Sequence, residues 1–364
     1  MWHERAHRAR RDIAALAAAG LGVSDLHAAA IRVIADDVGA DLACWATIDP
    51  ETLVISAMTS GETAIPPEYE PLLAQAEYAP DEPHAFADLA RQGVPAARLS
   101  ELPGVERERS ARLRTVWRPL GVERELRVMF MADGACWGGA GMVRAGPDFS
   151  DREVELMRSV APVIAGATRI AVRSEARTPT AGGGGAIVVV GPDGGLRAAT
   201  PAAQDWRDGL DEIASGRFLT MMRVMALGAR SSQSGGFRAR LRGPDGRWAV
   251  LEASPLIGSD EEQTAITIEP ATGDQLLGLL LTAYGLTARE REICHEVIGG
   301  HPTAEIAEHL FITTNTVQDH LKSMFAKVGV RSRGELVARL RPEGIPKTPL
   351  GVGAPLAESP LRSE

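Results

Sequence analysis

Aromatic residues are scarce in this chain: six Trp, three Tyr and seven Phe make up 4% of its 364 residues. Its cores must therefore be built mostly from aliphatic side chains, and these suffice, since 45% of residues are hydrophobic against 24% charged. The length is enough for two or three domains. Cysteine is scarcer still. Cys44, Cys136 and Cys294 are too few and too scattered for a disulfide framework or a zinc site. They fit buried structural thiols in a reduced, cytoplasmic setting, since no basic neighbour that would activate them can be read nearby. No run approaches the roughly 18 apolar residues of a membrane helix, so no membrane partner is expected. Arg8, Arg10 and Arg11 ahead of the apolar run 13–23 outline a secretion signal, but Asp12 interrupts the join and Asp25 and His27 follow at once. A basic leading helix over 1–23 is the better reading.

Signatures of catalysis are also missing. The run G-G-G-G-A-I-V-V at 182–189 lacks the Lys and hydroxyl of a P-loop. There is no nucleophile elbow, no H-E-x-x-H and no paired-carboxylate pattern, and the repeated G-P-D-G at 191–194 and 243–246 is turn chemistry. His84 has no partner at metal-ligand spacing. No catalytic residue, metal or cofactor is expected, and the chain does not read as an enzyme. Asp36 and Asp37 lie inside a helical pattern with no strand before them, which argues against a phosphorylated receiver domain.

The net charge is −9, but it is unevenly spread. Residues 285–341 carry 8 Lys/Arg against 7 Asp/Glu, whereas residues 1–284 carry 29 against 38. An acidic body with a slightly basic C-terminal segment discourages indiscriminate binding to nucleic acid without forbidding specific binding.

That C-terminal segment is the most informative part of the chain. Four short helices can be read over 286–341. Thr287 with Glu290 forms a capping box for the first. Gly299 and Gly300 end it. The second follows Pro302, with Thr303 as its cap. The third starts at Thr313 and carries Val317, Leu321, Met324, Phe325 and Val328 at helical spacing, until Gly329 stops it. Ser332 with Glu335 opens the fourth. Two short helices, a tight junction and a longer third helix make a helix-turn-helix whose third helix enters the major groove. With its apolar stripe turned inward, that helix shows Thr314, Gln318, Asp319 and Lys322. Gln318 suits an adenine edge, Asp319 accepts from cytosine N4, and Lys322 suits guanine or the backbone. Lys327, Arg331 and Arg333 are candidate phosphate contacts, and Thr313 and Thr316 candidate neutral ones.

The motifs L-T-x-R-E, E-I-A, T-V-x-x-H-L and K-x-G-V-x-S-R stand here almost unbroken over some 55 residues. The stretch resembles the LuxR/GerE family of DNA-binding domains. The resemblance implies double-stranded DNA as partner, a homodimer, and contact with RNA polymerase at the promoter. Gln318 and Asp319 depart from the basic or small residues usual in the family, which puts the preferred operator in doubt.

Upstream, residues 24–39 read as an amphipathic helix capped by Ser24 and closed by Gly39. Strands are expected at 42–48, 53–58, 124–131 and 135–144, with a turn at Asp133 and Gly134. Ser150 and Glu153 form another capping box before a long helix. This order resembles a GAF domain over 24–173, which implies a small-molecule pocket, with Trp45, Met58, Trp117, Phe130 and Trp137 as candidate wall residues. A Gly-rich flexible linker is expected over 174–185. Strands at 186–190, 237–242, 248–254 and 264–269, with a helix starting after Thr200 and a helical wall around 218–227, resemble a PAS domain over 186–271. A Leu-rich coupling or dimer helix over 272–285 and a disordered tail over 342–364 complete the plan. The expected fold is multidomain α+β: GAF-like and PAS-like α/β sensor domains before an all-α, four-helix LuxR-type helix-turn-helix. The expected function is a transcriptional regulator controlled by a small-molecule effector. The alternative is a regulator whose upstream modules bind a partner protein.

Overall fold

The structure, a computed structural model, describes residues 2–79, 81–176, 185–213, 216–232, 235–243, 247–258 and 261–340. Helices α1 (Trp2–Ala18) and α2 (Val23–Ala35) lead into strands β1 (Leu42–Ile48) and β2 (Ile55–Ser60). A cap of short elements follows: α3 (Glu70–Glu77), α4 (Phe86–Gln92), β3 (Ala96–Arg98), α5 (Gly104–Arg109) and a π-helical turn at Leu113–Trp117. Strands β4 (Arg124–Ala132) and β5 (Ala135–Arg144) and the long helix α6 (Asp151–Glu175) close the first unit. Its antiparallel sheet runs β2-β1-β5-β4-β3. The β4–β5 hairpin turns at Asp133 and Gly134, both at positive φ (51° and 75°), as a two-residue turn matched to strand twist requires.

Side-chain alternation sorts this sheet into two faces. Trp45, Leu126, Val128, Phe130 and Met142 pack with Leu26, Ile34, Met157, Val160 and Ile164 of α2 and α6. Ala46, Ile48 and Met129 face the other way, among Phe86 and Leu89 of α4. The second face is the one that holds a cavity.

The second unit comprises β6 (Ala186–Val190), β7 (Leu196–Ala199), α7 (Ala202–Ile213), α8 (Arg217–Ser231), β8 (Phe237–Arg242), β9 (Trp248–Pro255) and β10 (Thr264–Pro270). Its antiparallel sheet runs β7-β6-β10-β9-β8, the same 2-1-5-4-3 order as the first. The G-P-D-G after β6 closes as a tight turn, with Gly191 N donating to Gly195 O at 2.9 Å. Residues 244–246 of the second G-P-D-G lie outside the described residues. Helix α8 has two working faces. Phe218, Met222, Met225 and Ala229 fill the core of the second sheet, whereas Arg217, Thr220, Met221 and Val224 look into the first unit.

The two units are joined by charge as well as by apolar contact. On β8, Ala239 and Leu241 point into the core, so the intervening arginines point out. Arg240 meets Asp49 through two hydrogen bonds (2.6 and 3.2 Å), pairs with Glu51, and donates to Gln275 O at 3.2 Å. Arg242 lies 3.0 Å from Glu175, whose Oε1 also accepts from Val23 N at 2.8 Å.

Helix α9 (Gly273–Ala283) then leads into α10 (Ala288–Ile298), α11 (Thr303–His309), α12 (Thr314–Val328) and α13 (Arg333–Leu340). Its leucines divide between two cores. Leu276, Leu279 and Leu280 join the core around α6, while Leu277 and Leu281 join that of the C-terminal bundle. The leucines anticipated as a coupling or dimer surface are thus buried within the chain itself.

Several expectations need correction. Helix α2 is capped by Gly22, not Ser24, and ends at Ala35, short of Gly39. Strand β2 starts at Ile55 because Asp49 Oδ1 accepts from the backbone N–H of Glu51 and Thr52, and the resulting turn leaves Leu53 at φ 60°. Helix α6 runs to Glu175, into the segment expected as a linker; residues 177–184 and the expected disordered tail lie outside the described residues. Thr303 is the first residue of α11, and its cap position is Pro302. Strands β3 and β7 were not anticipated.

Candidate nucleic-acid interface and effector cavity

The bundle is built around α12. Val317, Met324 and Val328 are buried, and Leu321 and Phe325 pack beside them, against Ile293, Ile306 and Leu336. Thr313 caps the helix, its hydroxyl accepting from Thr316 N at 3.1 Å and lying 2.8 Å from Thr316 Oγ1. Gly329, at φ 72°, ends it. The buried carboxylate of Glu290 sets how α12 lies on α10. It closes the capping box on Thr287 N (2.7 Å) and accepts from Ser323 Oγ (2.6 Å) and Lys327 Nζ (2.7 Å). Burial works against its ionisation, but those hydrogen bonds and the Lys327 charge outweigh it and hold the group down at about 2.

The opposite face of α12 is open. Thr314, Gln318, Asp319 and Lys322 are all exposed. Lys322 Nζ lies 3.0 Å from Asp319 Oδ1, so the acid partly neutralises the lysine that would stand beside the groove. Arg331 is exposed, with its backbone N–H donating to Glu335 Oε2 at 2.8 Å. The other two basic candidates are held by the chain itself. Lys327 pairs with Glu290, and Arg333 donates to the carbonyl of His301. Neither engagement could be read from the motif, because one partner comes from α10 and the other from the turn after it, both distant in sequence.

The second site is a cavity of about 420 Å³ on the capped face of the first sheet. Its walls come from β1, β2, α3, α4, the π-helical turn and, across the inter-unit boundary, α8 through Arg217, Thr220, Met221 and Val224. Of the five anticipated wall residues, Met58 and Trp117 line it. Trp45, Phe130 and Trp137 do not. The alternation of β1 and β4 turns Trp45 and Phe130 to the helix-covered face, where both pack edge-on against the His27 ring, and Trp137 is buried in the same core. Alternation along β1 puts Trp45 on the face opposite Cys44, which lines the cavity, but the strand alone does not say which face is capped.

Polar groups in the cavity include a cluster around Arg127 and a pair of opposite charges, Arg217 and Glu70. Arg127 lies 2.7 Å from Glu77 and 3.2 Å from Glu125, with its guanidinium 4.1 Å over the Phe86 ring. Glu125 also takes Arg112 and, at 3.2 Å, the Trp117 indole N–H. Burial opposes the Glu125 charge, but the two arginines dominate and hold it at about 2. Arg217, by contrast, is lowered from its ordinary value by burial, with the Glu70 carboxylate acting in the opposite direction. Cys44 lines the cavity as a thiol that burial pushes up to about 12, so it is no nucleophile.

Comparison with known proteins reaches only the bundle with any strength. Residues 285–340 match the family described as bacterial regulatory proteins, luxR family. The spore germination protein GerE of Bacillus subtilis is 40% identical over 55 residues, which span 15% of this chain and 74% of that protein. The monoamine regulon transcriptional regulator of Klebsiella aerogenes is 48% identical over 54 residues, but the chain spans only 24% of its length. A crystal structure of a Vibrio cholerae VqmA–ligand–DNA complex aligns with 43% of this chain and 80% of that one at 16% identity, with a TM-score of 0.21, too low to carry a structural argument.

Proposed function

Because the chain belongs to the LuxR family of bacterial regulatory proteins, we propose that its bundle places α12 in the major groove of a specific operator. In this reading, binding is governed by a small molecule held between the two α/β units. The observation that carries the first half is the polar stripe Thr314, Gln318, Asp319 and Lys322 on a helix whose other face is fully committed to the core. Gln318 reads an adenine edge, Asp319 selects for a cytosine amino group, and Lys322 and Arg331 meet guanine or phosphate. Thr313 and Thr316 supply neutral phosphate contacts at the start of α12. Lys327 and Arg333 shape the bundle instead of touching DNA. A homodimer would read two half-sites about one helical turn apart, in the cytoplasm and beside RNA polymerase.

The cavity supports the second half. The sheet order and the covering helices favour a GAF-like first unit and a PAS-like second unit. An effector in the cavity touches both, so its occupancy bears directly on how they pack. The lining calls for a largely apolar molecule with one anionic or acceptor group directed at Arg217.

Genome-wide mapping of bound sites tests the regulator reading: one shared motif upstream of genes supports it, and a featureless profile contradicts it. Metabolite fractions that raise the Tm of the wild type but not of Met221→Trp, whose indole fills the cavity, would support effector binding. If every active fraction acts equally on both proteins, the effector does not occupy this cavity.

A further inference from the structure

The corner between α10 and α11 gathers three metal-binding side chains that no function described so far uses. Glu296 comes from α10, His301 from the turn and His309 from the last residue of α11. Gly300, at φ 90°, lets the chain reverse, and His301 N donates back to Glu296 O at 3.2 Å, which folds the turn over the end of α10. Helix α11 then brings His309 alongside. The ligand atoms of the three residues all lie within 4.8 Å of one another. Glu296 Oε2 is 2.8 Å from His309 Nδ1 and 3.9 Å from His301 Nε2, and the two rings meet edge to face with centroids 5.1 Å apart.

We propose that Glu296, His301 and His309 form a divalent transition-metal site, with zinc the best fit, that clamps α10 to α11. With Zn–N and Zn–O bonds of about 2.0–2.1 Å, ligand atoms around a tetrahedral ion stand roughly 3.3 Å apart. The observed 2.8 and 3.9 Å bracket that value, so modest side-chain adjustment seats the ion. Two imidazoles and one carboxylate are a zinc donor set, and water takes the fourth position. A simple hydrogen-bonded pair accounts for Glu296 and His309 alone. It does not include His301, whose Nε2 is nonetheless turned toward the same oxygen. That orientation is fixed by Glu305, whose Oε2 lies 3.3 Å from His301 Nδ1. A carboxylate that takes the Nδ1 proton and leaves the Nε2 lone pair toward the site is the usual outer partner of a metal-binding histidine. Arg333 donates to the His301 carbonyl, which ties the same turn to α13.

None of the three ligands belongs to α12, so the site acts on the rigidity of the bundle and not on base readout. It does not depend on the regulator reading. Metal-free full-length protein titrated with zinc chloride at neutral pH, by calorimetry and thermal unfolding, tests it. The expected result is a zinc equivalent whose binding raises Tm with the logarithm of the zinc concentration. Cobalt(II) should give the visible absorption of a four-coordinate ion. Both signals should disappear in His301→Ala and His309→Ala, and in Glu296→Gln, which keeps the side-chain shape and an acceptor toward His309. Glu305→Ala should bind about 10–100-fold more weakly. His320→Ala, on α12 outside the cluster, should bind as the wild type does. The proposal is overturned if the wild type binds no zinc saturably, or if the double variant His301→Ala/His309→Ala keeps the same equivalents and the same Tm response.

Discussion

Lys327 shows how the role of one side chain depends on a partner far away in sequence. Next to G-V-x-S-R it reads as a phosphate contact; in the fold its ammonium is 2.7 Å from the buried Glu290 carboxylate. Lys327→Ala should therefore cost about 1–3 kcal/mol of bundle stability by leaving that carboxylate short of a charged donor. It should leave the salt dependence of DNA binding nearly unchanged. Arg331→Ala should do the opposite, lowering the log–log salt slope by about one unit with little change in stability. Chemical denaturation and binding titrations at several salt concentrations separate the two, and a slope lowered by Lys327→Ala would return that lysine to the interface.

His27 makes a second prediction at this scale. It is fully buried between Trp45 and Phe130, with Nε2 2.9 Å from Thr168 Oγ1. Burial, reinforced by the Arg242 charge, lowers it from 6.5 to about 3. The folded state thus holds the neutral ring while the unfolded chain takes up a proton below pH 6.5. Stability tied to His27 is complete above that pH and is lost as pH falls toward 3, by up to about 5 kcal/mol. Urea unfolding at pH 7 and pH 4 should show a smaller acid loss for His27→Gln than for the wild type. Equal losses would mean that the ring is not kept neutral by the fold.

Among the elements, α9 is the one whose role depends most on its neighbours. Its excess of leucine was legible in the sequence, but the division of Leu276, Leu279 and Leu280 from Leu277 and Leu281 was not, since it needs two cores to be known. A fragment covering 272–340 keeps the bundle core and strips α6 from the other three leucines. It should fold and self-associate, and Leu276→Gln/Leu280→Gln should restore a monomer in sedimentation. A monomeric parent fragment would show that those leucines are not an exposed apolar face once α6 is gone. The bundle helices themselves were readable because their signals are local: Thr287 and Glu290, Thr313, Gly329, and apolar spacing within 15 residues. The hairpin at Asp133 and Gly134 and the capping box at Ser150 were readable for the same reason. Strands β3 and β7, of 3 and 4 residues, are too short to show alternation, and β7 is exposed throughout. The helical segment 218–227 is readable as a pocket wall, and Met221 and Val224 do line a cavity, but that this cavity is shared with the first unit shows only once the two units are packed together.

At the scale of the whole molecule, packed elements connect the cavity to the C-terminal bundle. The cavity is walled by both α/β units. Arg240 and Arg242 join those units through Asp49, Glu51 and Glu175, and α9 joins α6 to the bundle. Acidity is kept in the units and away from α12, whose Asp319 already restrains Lys322. The central claim is that α12 reads sequence through its exposed face, and binding-site selection from a random duplex pool tests it most directly. The full-length protein should enrich one motif. Gln318→Ala should cost about 1–3 kcal/mol on that motif and flatten one base pair of it. Asp319→Ala should raise binding to random duplex and relax a neighbouring base pair. If no motif is enriched, or if both variants lose affinity for all sequences alike, the exposed face of α12 does not read DNA.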